Sequence, residues 1–511
     1  MCLRLDNVKR INLEGLCYLC LTVFIIVLSY LYISCKRKQF QNITTNVPTI
    51  FGLPFIGIAY KLIPLKRFLY TITSYFEELN TSTYCAWLGT NPVLITIDPE
   101  IIQTVTSSSE FLNKAEMLYN PINNAIPKGI ITSEVTKWKH NRKLINAYFN
   151  HRTLISFIPL FNHGSNMAVK RLSKICDNRE HKIFDILKRS TLEVAIENTM
   201  GIEMEEDSTK YNELLDSFSI MLERIATDAA YSTMGLGFLA RTPSYYQSLQ
   251  FLRNFMNNLI DKRTKERNNN HLFKTGRFEN DKDPMSSFLD MALNYCDHGQ
   301  MQKEDVIIES IGLIGASFET VATAIYSTLV MIAMHPEVQQ NLFKEISSLL
   351  PQEDTEIMYD HLKQAPYLDM VVAETLRLMP SIPVVGRQAM RKSALTSKIV
   401  LSPRMEVIVP IFSLHRSKVW WGPQAHIFNP NNFLPENISK RNPYVYMPFS
   451  KGARNCVGWR YAEIAIRITL MILVRKFKFS TSYKYGDLHF VDHISLWYHV
   501  EPSFNLELRN V

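Results

Sequence analysis

The sequence has no dense basic stripe with interleaved aromatics, no internal repeat, and no cysteine spacing that would build a disulfide framework or a zinc site. Its eight cysteines (Cys2, Cys17, Cys20, Cys35, Cys85, Cys176, Cys296 and Cys456) are scattered. A disulfide-stapled secreted scaffold is therefore excluded, and a reducing compartment fits. Cys17-x-x-Cys20 has the spacing of a redox pair, but it lies in an apolar run where lipid contact or helix packing is the simpler role. The missing basic stripe argues against nucleic acid as a partner. The formal charge of 56 − 48 = +8 suits a membrane surface or an acidic protein instead. A clear signal-cleavage site and a retention signal are also lacking. At 511 residues and 46% apolar content the chain can bury a large interior.

What is present first is one long uncharged run, Leu16 to Cys35, of 20 residues. As a helix it would cross roughly 30 Å, the thickness of a bilayer core. A cleaved signal has a shorter apolar region, so the run reads as a retained anchor. Lys36-Arg37-Lys38 follow it at once, whereas the other flank mixes Arg4, Lys9 and Arg10 with Asp6 and Glu14. The tighter basic cluster after the run favours a cytosolic body, which keeps the glycosylation acceptor Asn42-Ile43-Thr44 away from the lumen. Four parts follow: a short segment 1–15, the anchor 16–35, a basic stop-transfer and Pro/Gly hinge 36–58 (Pro48, Gly52, Pro54, Gly57), and a body 59–511. Within the body, Ala86–Gly89 and Val93–Ile97 read as short strands. Residues 99–350 carry long helical periodicity, with a solvated polar loop from Arg263 to Pro284. Ile399–Val409 and Ile494–Leu508 are further strand candidates. The fold class is mainly α with a small β region.

The densest chemistry lies in Phe449-Ser-Lys-Gly452-Ala-Arg454-Asn-Cys456-Val-Gly458, just before an apparent helix beginning at Trp459. A cysteine near a helix N-terminus and a cation is expected to have a lowered thiol pKa. Glycines at 452 and 458 would let the backbone turn tightly and approach a flat object. A lone cysteine in a turn is more often structural; four fixed neighbours make presentation of sulfur to a metal the better reading. The spacing F-x-x-G-x-R-x-C-x-G resembles the signature of the cytochrome P-450 superfamily. That resemblance implies a P-450-like fold after the transmembrane helix and a haem b whose iron takes Cys456 as its axial thiolate. It also implies Arg454 beside a haem propionate, Phe449 on the sulfur side, and Gly452 and Gly458 within the cofactor loop.

Four further patterns occur in that family's order. Trp138-Lys-His-Asn-Arg142 places an indole and a guanidinium on one helix face; the family's W-x-x-x-R helix implies propionate contacts for both. In the run Val306–Met334, Gly315-Ala316-Ser317-Phe318-Glu319-Thr320-Val321 sets an acid and a hydroxyl inside an apolar helix. That is costly without purpose. The threonine can bond a preceding carbonyl and open the helix locally, and the family pattern makes Glu319 and Thr320 a proton-delivery pair. Ser317 and Val321 depart from that pattern. Glu374-Thr-Leu-Arg377 matches the structural E-x-x-R pair, and Arg387 matches another arginine near the propionates, with Ile382–Val385 lining the pocket. The family's third cation would stand at 432, where Asn432 can hydrogen-bond but adds no charge. Leu414-His-Arg416, Asn432–Asn437 and Tyr446–Ser450 are similar to the fatty-acid ω-hydroxylase branch and its insect relatives. Ala316 takes the place of a glutamate that esterifies the haem there, so the haem is expected to be held without that link.

The resemblance implies a membrane-bound monooxygenase inserting one atom of O2 into a lipophilic substrate. Electrons would come from an NADPH-dependent flavoprotein reductase, with cytochrome b5 as a further partner, at the endoplasmic reticulum membrane. Lys139, Lys143, Lys451 and Arg460 are candidates for the docking face. Met234–Ala240, apolar and between two helical segments, either dips into the bilayer or packs as a loop. A haem-thiolate isomerase or dehydratase and a non-catalytic haem-binding protein are the alternatives. An intact Glu319-Thr320 argues against the first.

Overall fold

The computed structural model describes residues 13–43, 47–202, 209–269, 287–352 and 355–509. The first helix, Leu13–Ile43, contains the apolar span Gly15–Cys35, most of it exposed. Its solvent-facing leucines, isoleucines and aromatics have no protein partner to bury them, as an anchor requires. Side chains of 36–46, the basic cluster and Asn42 among them, lie outside the described residues. The hinge folds back tightly: Leu53 and Gly57 exchange backbone hydrogen bonds of 2.9 and 2.8 Å. Gly57 has a φ of 61°, and a Cβ there would stand 1.8 Å from the Trp87 carbonyl oxygen.

The body is built around Lys303–Met334, a helix whose apolar residues cover nearly its whole circumference and which is correspondingly buried. It passes the length and hydropathy test for a membrane span, yet 83% of that window is inside the protein, so it is the core helix. Phe184–Met200, Pro366–Leu378 and Trp459–Lys476 pack against it. The expected helical break at Thr320 does not occur: the helix is continuous, and Thr320 Oγ1 donates to the Ala316 carbonyl at 2.7 Å.

The β region is a six-stranded sheet in the order 49–50, 83–88, 91–96, 406–410, 384–388, 113–114. Its last two strands are antiparallel, with Lys114 directly opposite Arg387. Three two-stranded pairs complete it, including a hairpin of Phe490–His493 with Ser495–Tyr498. That hairpin's first strand starts before the expected Ile494. The polar interval is also partly helical, because Pro243–Asn269 continues through Arg263, which pairs with Asp290. Residues 270–286 lie outside the described set.

Glu374 and Arg377 form a bidentate pair with both bonds at 2.7 Å and no side-chain exposure. Such a pair is tolerable only if every remaining polar atom is satisfied. Arg377 donates to the carbonyls of His415, Ala425 and Ile427, and Glu374 accepts from Asn429 N–H and Asn432 Nδ2. Asn432 thus bridges neutrally, at 3.1 Å. A cation comes from another place: Arg441 donates to the Asn432 carbonyl and lies 4.0 Å from the centre of the Trp421 ring, which Arg377 also approaches, at 4.8 Å.

Candidate functional site

One cavity of about 400 Å³ gathers most of the residues singled out in the sequence. Trp138, Arg142, Ala316, Glu319, Thr320, Phe449, Arg454, Cys456 and Gly458 line it; Arg387 and Gly452 stand behind the wall. The rest is chiefly apolar, from Met117, Ile122, Ile130, Ile225, Leu313 and Val384 among others.

Cys456 is closed into its loop by a 3.0 Å bond from its own N–H to the Phe449 carbonyl, three residues before the Trp459–Lys476 helix. Its side chain is exposed to the cavity it lines. The lowered thiol pKa expected from the helix terminus is not found. Burial pushes the thiol up, and the Gly458 N–H, Arg142 and Lys114 offset only part of that. Ionisation of this sulfur therefore has to be driven by the group it binds. Gly452 is required by the protein itself: φ is 73°, and a Cβ would lie 1.7 Å from the Thr106 carbonyl oxygen. Gly458 is different, since its φ is −93° and a Cβ would meet only Phe149, at 3.8 Å.

Four cations gather at or beside the cavity. Arg454 spans from the Leu112 carbonyl to the Ser133 carbonyl, its guanidinium 4.1 Å over the Trp138 ring. Its Nη1 is buried without a partner, and burial, then Arg387, bring its pKa down to about 9. Arg142 does not wait for a ligand: its two terminal nitrogens hold the Asn455 carbonyl and Oδ1, at 2.7 and 2.8 Å. Arg387 is 2% exposed; its Nη1 donates to the Gly386 carbonyl at 3.0 Å, while its Nη2 reaches Ser450 Oγ and the Arg454 carbonyl only at 3.5 Å. Lys114, which the sequence analysis missed, completes the group. Burial, then Arg387, Arg454 and Arg142, hold its ammonium well below the ordinary lysine range. No local motif marks this lysine; only the register with Arg387 reveals it.

Among the described residues none of these four cations forms an ion pair with a carboxylate, and the main acidic influences on them are Cys456 and Tyr119. Like charges on opposed strand positions are destabilising, and an orphaned guanidinium nitrogen costs more. The set fits a bound dianion with an apolar body. Ala316, mid-way along an otherwise buried helix, is exposed, and a Cβ on Gly312 would meet nothing within 4 Å. Both leave a flat slot between the helix and Cys456. Haem answers each demand: a metal for the sulfur, a macrocycle for the slot, propionates for the cations. No cluster of three His, Cys, Asp or Glu exists among the described residues, so the macrocycle would supply the remaining ligands.

Glu319 is 1% exposed; its Oε1 accepts from Trp497 Nε1 at 2.6 Å and Ser495 Oγ at 3.1 Å, while Oε2 is buried without a partner. Burial raises its pKa, opposed first by the Lys188 ammonium. Ser381 Oγ donates to the Thr320 carbonyl, and Ser317 Oγ turns back to the Ile314 carbonyl at 3.1 Å rather than across the slot.

A single cysteine offered to an apolar slot under a continuous helix, with cations gathered at that slot, is the architecture of a haem-thiolate protein. A sequence profile of the cytochrome P450 family matches residues 47–490, and the chain belongs to that family. It is 32% identical over 492 residues to "Probable cytochrome P450 313a4" of Drosophila melanogaster, covering 95% of this chain and 98% of the relative. It is also similar to "Cytochrome P450 4c21" of Blattella germanica, at 27% with 93% and 95% covered. "Cytochrome P450 4V2" of Homo sapiens is 28% identical, with 86% of each chain covered. The family binds haem b through a cysteine thiolate and its members are generally monooxygenases.

Proposed function

We propose that this chain is a membrane-anchored haem-thiolate monooxygenase, placing one oxygen atom of O2 in a lipophilic substrate while the other leaves as water. The carrying observation is that Cys456, the partnerless Arg454 Nη1 and the Glu319-Thr320 pair open on one apolar cavity. Bound there through Cys456, haem supplies the oxygen activation. Arg454, Arg387, Lys114 and Trp138 hold the propionate edge, Arg142 steadies the cysteine loop through Asn455, and Phe449 covers the sulfur side. Ala316 offers only a methyl group, so the haem is held without a side-chain ester.

Glu319 is a proton holder whose burial raises its proton affinity, and Thr320 stands one residue on, at the slot. Together they deliver protons to the oxygen that leaves as water, and apolar walls keep bulk water out. Lys139, Lys143 and Arg460 are exposed and Lys451 half-buried, none in an ion pair among the described residues. They form the docking face for an NADPH-dependent flavoprotein reductase, with cytochrome b5 as a second donor. We place residues 16–35 in the endoplasmic reticulum membrane with the body, 59–511, in the cytosol. Leu236, Phe238 and Leu239, 39%, 64% and 54% exposed, dip toward the bilayer. With purified reductase, the holoenzyme should consume NADPH and form oxygenated product, and Thr320→Ala should keep consuming NADPH while product falls about tenfold or more. Turnover of a peroxide substrate without electrons would point to an isomerase instead, and no turnover at all to a haem-binding protein.

A further inference from the structure

The Phe490–His493/Ser495–Tyr498 hairpin ends in a single-residue turn: His493 pairs with Ser495, and Ile494 alone connects them. Ile494 has a φ of 74°, a region that β-branched residues almost never occupy. Asp492, Ile494 and Ser495 line the cavity. The first strand packs against the short helical turn Leu65–Arg67, the helix Phe68–Glu78 and the helix Thr209–Ser232. From these come Leu65, Phe68, Met221 and Ile225, which line the cavity with it.

Asp492 therefore carries a carboxyl group into an apolar chamber. Its Oδ1 accepts the Ile494 N–H at 3.1 Å. Its second oxygen has no partner among the described residues, and it forms no ion pair among them. Burial raises its pKa to about 7, opposed by the Ile494 bond, and among the described residues no lysine or arginine offsets that rise. The other carboxyl group on this cavity differs in its charge environment: Glu319 also leaves one oxygen without a partner, but its Oε1 has two donors and the Lys188 ammonium acts on it. An unpaired carboxylate in such a place is costly unless a ligand brings its complement. We propose that Asp492 is the specificity-determining residue of the cavity, and that it selects lipophilic substrates bearing a cationic nitrogen over those bearing a carboxylate. This rests on the monooxygenase reading above and names the substrate class for that same cavity.

A purely local role, capping Ile494 N–H, is separable, because Asp492→Asn keeps an acceptor oxygen in place and removes only the charge. The test is spectral titration of the full-length holoenzyme at pH 8 with three probes sharing one phenylalkyl chain and ending in trimethylammonium, hydroxyl or carboxylate. The quaternary nitrogen cannot itself ligate iron. Wild type should bind the ammonium about tenfold tighter than the alcohol and the carboxylate weakest, as charge-assisted recognition implies. In Asp492→Asn the ammonium advantage should disappear with alcohol affinity unchanged, and Asp492→Glu should retain it. Equal wild-type affinities for the three probes, or an unchanged ammonium preference in Asp492→Asn, would overturn the proposal. The wild-type order decides even if a variant fails to take up haem. The reduced carbon monoxide spectrum of the same preparations reports the haem-thiolate reading separately.

Discussion

Lys114 and Arg387 stand opposite each other on adjacent strands, an arrangement the folded chain tolerates at a cost of about 0.2–1 kcal/mol. In the proposed site a bound anion would relieve their repulsion. Lys114→Ala should thus raise the thermal midpoint of the haem-free protein while lowering haem retention in the loaded one. A fall in both would make Lys114 an ordinary stabilising residue. Arg454, Arg142 and Cys456 were legible because their spacing is local. Lys114 was not, because strand register joins residues 273 positions apart (387 − 114). The thiol pKa was misjudged for a related reason: a helix terminus is visible in sequence, whereas the burial that outweighs it belongs to the tertiary fold.

Glu309 is a residue-scale device that no motif announces. It is 1% exposed, and its two oxygens accept from Ile130 N–H at 3.0 Å and Asn141 Nδ2 at 2.7 Å, pinning the central helix to the cavity wall. Burial raises its pKa from 4.5 to about 7. The folded state therefore holds this proton more tightly than the unfolded chain. Its contribution to stability is full below about pH 4.5 and is lost as pH rises through about 7. The thermal midpoint of Glu309→Gln should gain on wild type between pH 5 and pH 8. A constant difference across that range would remove Glu309 from the account.

At the scale of elements, the Glu374–Arg377 pair shows what a motif carries and what it leaves out. The helix Pro366–Leu378 and the pair itself were legible from periodicity and spacing. Asn432 was read as a hydrogen-bonding residue that adds no charge, and it donates to Glu374 at 3.1 Å. Arg441, nine residues on, reaches back over Trp421 into the same cluster. Its pKa is lowered by burial and by Arg377, with Glu374 opposing. Arg441→Ala should cost about 1 kcal/mol, the size of a partly buried cation–π contact and one hydrogen bond. Arg377→Met, which strands a buried carboxylate, should cost about 3–5 kcal/mol. Chemical unfolding of the loaded protein would rank them. Equal losses would mean that Arg441 belongs to the same rigid unit and not to its edge.

For the whole molecule, mostly helical architecture and the N-terminal apolar helix were readable because hydropathy acts over neighbouring residues. What Met234–Ala240 does was not readable. The fold seats it beside the hinge: a Cβ on Gly89 would stand 2.2 Å from the Thr233 carbonyl oxygen and 3.8 Å from that of Phe55. Leu53, Phe55, Leu236, Phe238 and Leu239 are all exposed there, so two apolar segments form one exposed apolar surface, to which we assign the proposed bilayer contact. Protein lacking residues 1–35 should still sediment with phospholipid vesicles, and Phe238→Asp with Leu239→Asp should release it. Complete release on removing the anchor alone would assign all membrane contact to the first helix.

The claim on which the rest depends is iron ligation by the Cys456 sulfur. Its most direct measurement is the difference spectrum of the reduced, carbon monoxide-treated protein, wild type against Cys456→Ala. The account predicts the red-shifted Soret band characteristic of this family in wild type and its loss in a folded variant. A Cys456→Ala protein that keeps that band would contradict it.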